Sequence, residues 1–224
     1  MRYGTKVHLR RVRDSLRGAV NYFSSEILHG RELRRHCTGR RDLLLNIGCG
    51  SISPPGWVNI DENPKSPDVF YWDVRNPLPI SSGTVRHIHS EAFFEYLFHD
   101  ELLALLRECG RVLAPHGTTR IIIPDLEKYA RAYCANDLKF FDQLRHLGGA
   151  VERLETNAMV CNQMFRMGGA HNFAWDFETF ARAARLSGFS ECTKSGIHDI
   201  QPELDIDGTE YWRPLESLYM NLRK

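Results

Sequence analysis

The segment Leu43-Leu44-Leu45-Asn46-Ile47, closed by Gly48-Cys49-Gly50, most constrains how this chain folds. A short apolar run that stops at turn-forming residues reads as a buried strand. Val58–Ile60 repeats the pattern and is ended by Asp61; Val69–Trp72 is ended by Asp73, and Val85–Ser90 is a fourth run. Residues 99–113 space Leu102, Leu103, Leu105, Leu106, Val112 and Leu113 as a helix, with Pro115, His116 and Gly117 as its stop. Thr118–Ile123 is a β-branched strand run ending at Pro124-Asp125. Strands alternating with helices predict an α/β fold built on a mostly parallel sheet.

The alternation breaks after Asp125. Residues 126–149 read as helical and 150–170 as mixed, so an insertion of about 126–172 follows the fifth strand. Insertions at a strand's carboxyl end are where lids and acceptor pockets are built. A helix over 176–187 stopped by Gly188, then strand runs near 191–197 and 217–222, complete the body.

A strand running into G-x-G brings bare backbone close to a ligand, where a Cβ would collide with it. The full dinucleotide fingerprint is absent, since position 53 is serine and Ser53-Pro54-Pro55-Gly56 breaks any helix. With no helix N-terminus to hold a pyrophosphate, the site suits a nucleoside without phosphates, and a nicotinamide oxidoreductase ranks last. Asp61 at the second strand's end can accept both hydrogen bonds of a ribose diol, and Asp73 at the third can accept from an adenine amino group. Each acid alone reads more readily as a turn or cap residue; three successive strand ends carrying G-x-G, acid and acid form a pattern.

With these residues the sequence resembles the class I S-adenosylmethionine (SAM)-dependent methyltransferases. Within them it is similar to a methyltransferase-11-like subgroup with LNxGCG…NxD…PDLE motifs, often associated with glycan and natural-product pathways. The matching residues are Leu45–Gly50, Gly56–Asp61, Asp73 with Pro77–Pro79, Ser90-Glu91, Glu95, Arg111–Leu113, Pro115, Gly117 and Pro124–Glu127, over about 42–128 and 171–224. The resemblance implies a Rossmann-like sheet with an antiparallel strand near the C-terminus. It implies SAM as cofactor, S-adenosylhomocysteine as product, and a cofactor site of Asn46, Gly48, Cys49, Gly50, Asp61, Asp73, Val74, Ser90 and Glu91. Ala92 and Tyr96 stand where the subgroup has paired histidines, so any catalytic role of those histidines is missing or has moved.

Transfer of a methyl from a sulfonium mainly requires alignment and exclusion of water, whereas a hydroxyl acceptor also benefits from a general base. Candidates are His171, Glu91 and Asp125, with His89 on the same strand face as Glu91. His171 is the preferred base; the alternatives are an ordinary loop histidine there and a helix cap at Asp125. Arg166 is a candidate for orienting an acidic acceptor. The stretch His198, Asp199, Glu203, Asp205, Asp207 lacks EF-hand spacing, and no metal is assigned. Cys49 reads as a small buried side chain.

The expected activity is transfer of a methyl to oxygen or nitrogen of a small-molecule or saccharide acceptor. The alternatives are a nucleic-acid (RNA) methyltransferase and a catalytically inactive SAM-binding partner protein. Residues 1–41 hold 11 Lys+Arg against 3 Asp+Glu, while the remainder holds 18 against 25. Leu9, Val12, Leu16, Val20, Phe23 and Ile27 form an apolar stripe within that basic segment, which predicts an amphipathic helical extension ahead of a domain over 42–224. The acidic body and the lack of an aromatic-basic tract disfavour nucleic acid. No run reaches the roughly 20 apolar residues of a membrane span. With no secretory h-region and six dispersed cysteines, a cytoplasmic setting is expected; homo-oligomerisation stays open. Only residues 51–57 join Gly50 to the second strand, fewer than the dozen or so of a normal parallel crossover, so the first crossover helix is predicted shortened or missing.

Overall fold

The computed structural model describes residues 30–146, 151–210 and 213–224. The stripe from Leu9 to Ile27 lies outside the described residues. The first described element is α1 (Gly30–Cys37), followed by β1 (Leu43–Ile47), β2 (Trp57–Asp61), β3 (Val69–Tyr71) and β4 (Val85–Glu91). Helix α2 (His99–Val112) leads directly into β5 (Leu113–Pro124). The insertion holds α3 (Leu126–Cys134), α4 (Leu138–Arg145) and α5 (Asn157–Arg166). The chain closes with α6 (Phe177–Leu186), β6 (Glu191–Ser195), a short α7 (Arg213–Glu216) and β7 (Ser217–Arg223).

The strands form one sheet in the order β3-β2-β1-β4-β5-β7-β6. β7 runs antiparallel to both neighbours, and the other pairings are parallel. Strand order reverses between β1 and β4, and the carboxyl ends of strands flanking such a switch point are where open α/β sheets bind ligands. No helix separates β1 from β2, although the two pair in parallel from Leu44 opposite Trp57 to Ile47 opposite Ile60. The missing first helix is therefore a property of the fold.

The pleat gives the sheet two unlike faces. One carries Leu45, Ile47, Val58, Ile60, Ile88, Ile121, Ile123 and Met220, which join Leu102, Leu105, Leu106, Phe180 and Ala184 of α2 and α6 in one apolar core. Leu33 and Cys37 of α1 belong to the same core, and His36 lies 4.9 Å from the Phe70 ring. The other face carries Asn46, Trp57, Asn59, His87, His89 and Arg120, all buried. Arg120 is tied there by Asp207, Ser195 Oγ (2.5 Å), the Gly196 carbonyl (2.7 Å) and Asn221 Oδ1 (3.2 Å). This network pins the 196–207 loop beneath β5.

The insertion has its own small core of Tyr129, Phe140, Phe141, Leu144 and Val160. The stretch read as one helix over 126–149 is two helices as far as Arg145, because Asn136 adopts φ +51° and Asp137 caps the second through the Phe140 N–H. Tyr129 Oη donates to Glu216 Oε2 at 2.6 Å, joining the insertion to the start of β7.

Candidate active site

The carboxyl ends of β1 to β4 converge on one cleft. Its outer part is lined by Gly48, Asp61, Trp72, Asp73, Val74 and Phe93. Its inner part is lined by Asn46, Gly48, Cys49, Gly50, Glu91 and Arg213, with His89 at its floor. The structure thus brings together all of the sequence-predicted cofactor positions except Ser90. Ser90 points to the opposite side of β4, fully buried, and donates to the Ile47 carbonyl at 2.9 Å. Strand alternation predicted that division.

Asp61 shapes the glycine turn. Its Oδ2 accepts from the Gly50 N–H at 2.9 Å and its Oδ1 from the Asn63 N–H at 2.7 Å. Asp73 Oδ1 accepts from the Arg75 backbone (3.0 Å) and Nε (2.7 Å). Asn46 donates to the Ile52 carbonyl and to Asn59 Oδ1, bracing the loop that replaces the missing helix. Gly48 and Gly50 have φ of +66° and +55°. A Cβ on Gly48 would lie 2.2 Å from Phe93 Cγ, so the close approach at Gly48 is to a side chain of this chain, while Gly50 is open. Burial pushes the Cys49 thiol up to about 12, which makes it an inert packing group.

Glu91 sits at the inner end as an ion-pair partner. Arg213 Nε lies 3.0 Å from its Oε1, and its Oε2 accepts from the Gly208 N–H at 2.9 Å. Burial raises the Glu91 carboxyl and Arg213 opposes that shift. Asp125, by contrast, lines neither part of the cleft: its Oδ1 accepts from the Glu127 N–H at 2.9 Å and caps α3.

A second pocket adjoins the cleft, between the ends of β4 and β5 and the insertion. Ile122, Pro124, Val151, Met164 and Met167 give it apolar walls, and Glu95, His171, Arg213, Glu216 and Ser217 are its polar members. Ala92 and Arg213 line both this pocket and the inner cleft, and Tyr96 lines both it and the outer cleft. The two positions at which the chain departs from the subgroup's histidines therefore form the passage between the two spaces. His171 is buried, its ring edge-on to Tyr96 at 4.8 Å between centroids. Its Nδ1 is 2.6 Å from the Met164 carbonyl, which fixes the proton on Nδ1 and leaves Nε2 with a lone pair. Burial lowers the His171 imidazole from 6.5, keeping it neutral. Glu95, missed as a functional residue in the sequence reading, lies 4.0 Å from His171 Nε2; burial pushes its carboxyl up to about 8. Its match to the subgroup string was the sequence signal for it, but its desolvation arises only in the fold, where it lines a pocket with Val151, Met164 and Met167 of the insertion.

Other sequence candidates go elsewhere. Arg166 ends α5 outside both spaces. His198, Asp205 and Asp207 approach within 4.8 Å of one another, but Arg120 donates to both Asp207 oxygens. A buried guanidinium there repels a cation.

The cleft fits a nucleoside-bearing ligand on its own residues. Among the described residues, Trp72 Nε1 at the outer part and His89 Nδ1 at the inner part are buried without a hydrogen-bond partner, while His89 Nε2 faces Asp207 Oδ1 at 3.5 Å. Such groups cost about 1–3 kcal/mol each unless something pairs with them.

No family model matches the chain, and no curated protein matches it in sequence. Among solved structures, a SAM-dependent methyltransferase from Archaeoglobus fulgidus is similar at 14% identity and TM-score 0.49, over 91% of this chain and 98% of that one. A Burkholderia thailandensis 1,6-didemethyltoxoflavin-N1-methyltransferase, with bound 1,6-didemethyltoxoflavin and S-adenosylhomocysteine, is similar at 11% identity and TM-score 0.45. There the match covers 100% of this chain and 90% of that one.

Proposed function

We propose that this chain is a SAM-dependent methyltransferase that methylates oxygen or nitrogen of a small-molecule acceptor, with His171 as general base. One observation carries the reading. The cleft formed by the G-x-G turn, Asp61 and Asp73 opens through Ala92 and Tyr96 onto an apolar pocket that contains a neutral histidine.

In this reading Asp61 takes the ribose diol and Asp73 the adenine amino group, each through oxygen lone pairs beyond those it already shares with backbone. Trp72 Nε1 and His89 gain partners. The Glu91–Arg213 pair suits a zwitterionic amino-acid end, carboxylate toward ammonium and guanidinium toward carboxylate. Bound SAM supplies an electrophilic methyl on a good leaving group. The protein's remaining tasks are alignment, exclusion of water and removal of the acceptor's proton. His171 Nε2 suits the last task, and the role of the subgroup's histidines has moved there. Asp125, spent on a cap, is dropped as a base.

Calorimetric titration with S-adenosylhomocysteine tests the cofactor half. Wild type binds it, and Asp61→Ala weakens binding at least tenfold; no binding by wild type sinks the reading. For the base, His171→Ala lowers kcat by about 10²–10⁴-fold for a hydroxyl acceptor. In wild type, kcat/KM falls with acidity below pH 6.5, as Nε2 becomes protonated. Undiminished turnover in His171→Ala would reject this base.

A further inference from the structure

We infer that the acceptor is a planar, apolar molecule carrying a single acidic hydroxyl, a phenol or its heteroaromatic equivalent, seated in the pocket between β4, β5 and the insertion. This rests on the methyltransferase reading above and narrows its acceptor.

The pocket's walls are aliphatic and thioether groups, with the Tyr96 ring at the passage to the cleft. Methionine sulfurs against ring edges make favourable contacts. Two of the pocket's polar members are already engaged. Glu216 Oε2 accepts from Tyr129 Oη, and Arg213 is shared between Glu91 and Glu210. Available to a ligand are His171 Nε2, a lone pair, and Glu95 Oε2, which is buried with no hydrogen-bond partner among the described residues; the Ser217 hydroxyl also lines the pocket. The neighbouring Glu95 Oε1 and His171 Nε2 are 4.0 Å apart, too far for a direct bond. One hydroxyl fits this pair: its proton is donated to Nε2 and its oxygen accepts from the protonated Glu95 carboxyl.

A saccharide is a poor fit, because each further hydroxyl set against these walls loses its water and costs about 1–3 kcal/mol. Acidity narrows the class again. A desolvated histidine is a weak base, better matched to a phenol of pKa about 10, as in tyrosine, than to an aliphatic alcohol. In the step itself, the hydroxyl proton passes to His171 Nε2 and an oxygen electron pair forms the new bond to the methyl carbon. The carbon–sulfur bond breaks with its pair left on sulfur, and the imidazolium returns its proton to water as product leaves.

The full chain, saturated with S-adenosylhomocysteine, is titrated calorimetrically with 2-naphthol. In parallel, turnover is followed with methyl-labelled SAM and equimolar 2-naphthol, tryptamine and methyl α-glucoside. The expected result is saturable 2-naphthol binding, with label entering 2-naphthol at least tenfold faster than the other two. Val151→Trp fills the pocket and weakens 2-naphthol binding tenfold or more, while affinity for S-adenosylhomocysteine stays within twofold. Met167→Trp, at the exposed rim, gives the same result without altering the insertion's core. Absence of 2-naphthol binding, preferential labelling of the glucoside or the amine, or unchanged binding in both tryptophan variants overturns the phenol assignment. If S-adenosylhomocysteine itself does not bind, the cofactor reading fails first, an outcome distinct from acceptor failure.

Discussion

Gly48 and Gly50 have the same backbone requirement and opposite surroundings. Both sit at positive φ, which costs a residue with a Cβ roughly 1–2 kcal/mol. At Gly48 the new Cβ also meets the Phe93 ring at 2.2 Å, and overpacking of that kind adds about 1–3 kcal/mol. Gly48→Ala should therefore lower unfolding free energy by about 2–5 kcal/mol and Gly50→Ala by about 1–2 kcal/mol, measured by urea denaturation; equal losses would refute the Phe93 contact. The need for glycine at both positions was legible in the sequence as a strand entering G-x-G. Its cause at Gly48 was not, because β1–β4 pairing brings together residues 45 positions apart. Similarly, His171 was legible as a candidate base from the chemistry of histidine. The atoms that make it one, the Met164 carbonyl on Nδ1 and the buried Glu95 beside Nε2, come from the folded insertion.

Among the elements, apolar runs located the strands, and the short β1–β2 connection foretold the missing helix. The start of β5 was hidden. Pro115, His116 and Gly117 read as a break, yet they form an irregularity inside the strand: Val85 pairs with Leu113 and, two residues on, His87 pairs with Thr118. The extra residues 114–117 bulge out of register, which tolerates a proline and the φ of +63° at His116. Within the basic N-terminal segment, α1 packs in a way that charge could not reveal. Leu33 is fully buried in the main core, so α1 belongs structurally to the body. Leu33→Ala should cost about 2–5 kcal/mol, the usual range for a buried leucine. Deleting residues 1–36 removes the same side chain and should destabilise the remainder at least as much. Thermal melts of both proteins that match wild type would show instead that α1 is dispensable.

For the molecule as a whole, buried ionisable groups of opposite sign set the pH at which it is most stable. Burial lowers His87 to about 3 and His89 to about 4, against 6.5 in the unfolded chain. Below pH 6.5 the unfolded state takes up protons that the folded state refuses, so stability falls as pH drops toward 3. Glu95 acts in the other direction. Its folded value of about 8 lies above the ordinary 4.5, so its contribution is fully present below pH 4.5 and is lost as pH rises through 8. Of these three groups, two histidines outweigh Glu95 between pH 4.5 and 6.5 and Glu95 acts alone above 6.5, so together they favour maximum stability near pH 6.5. Glu95→Gln isolates the alkaline side, because glutamine keeps the shape and cannot ionise. Across pH 6.5–8.5 the wild-type melting temperature should fall while that of Glu95→Gln stays nearly level. Across that window the gap should open by on the order of 2 kcal/mol of unfolding free energy. Parallel melting curves for the two proteins would mean that Glu95 is already ionised in the folded state, and would remove the protonated carboxyl from the acceptor pocket.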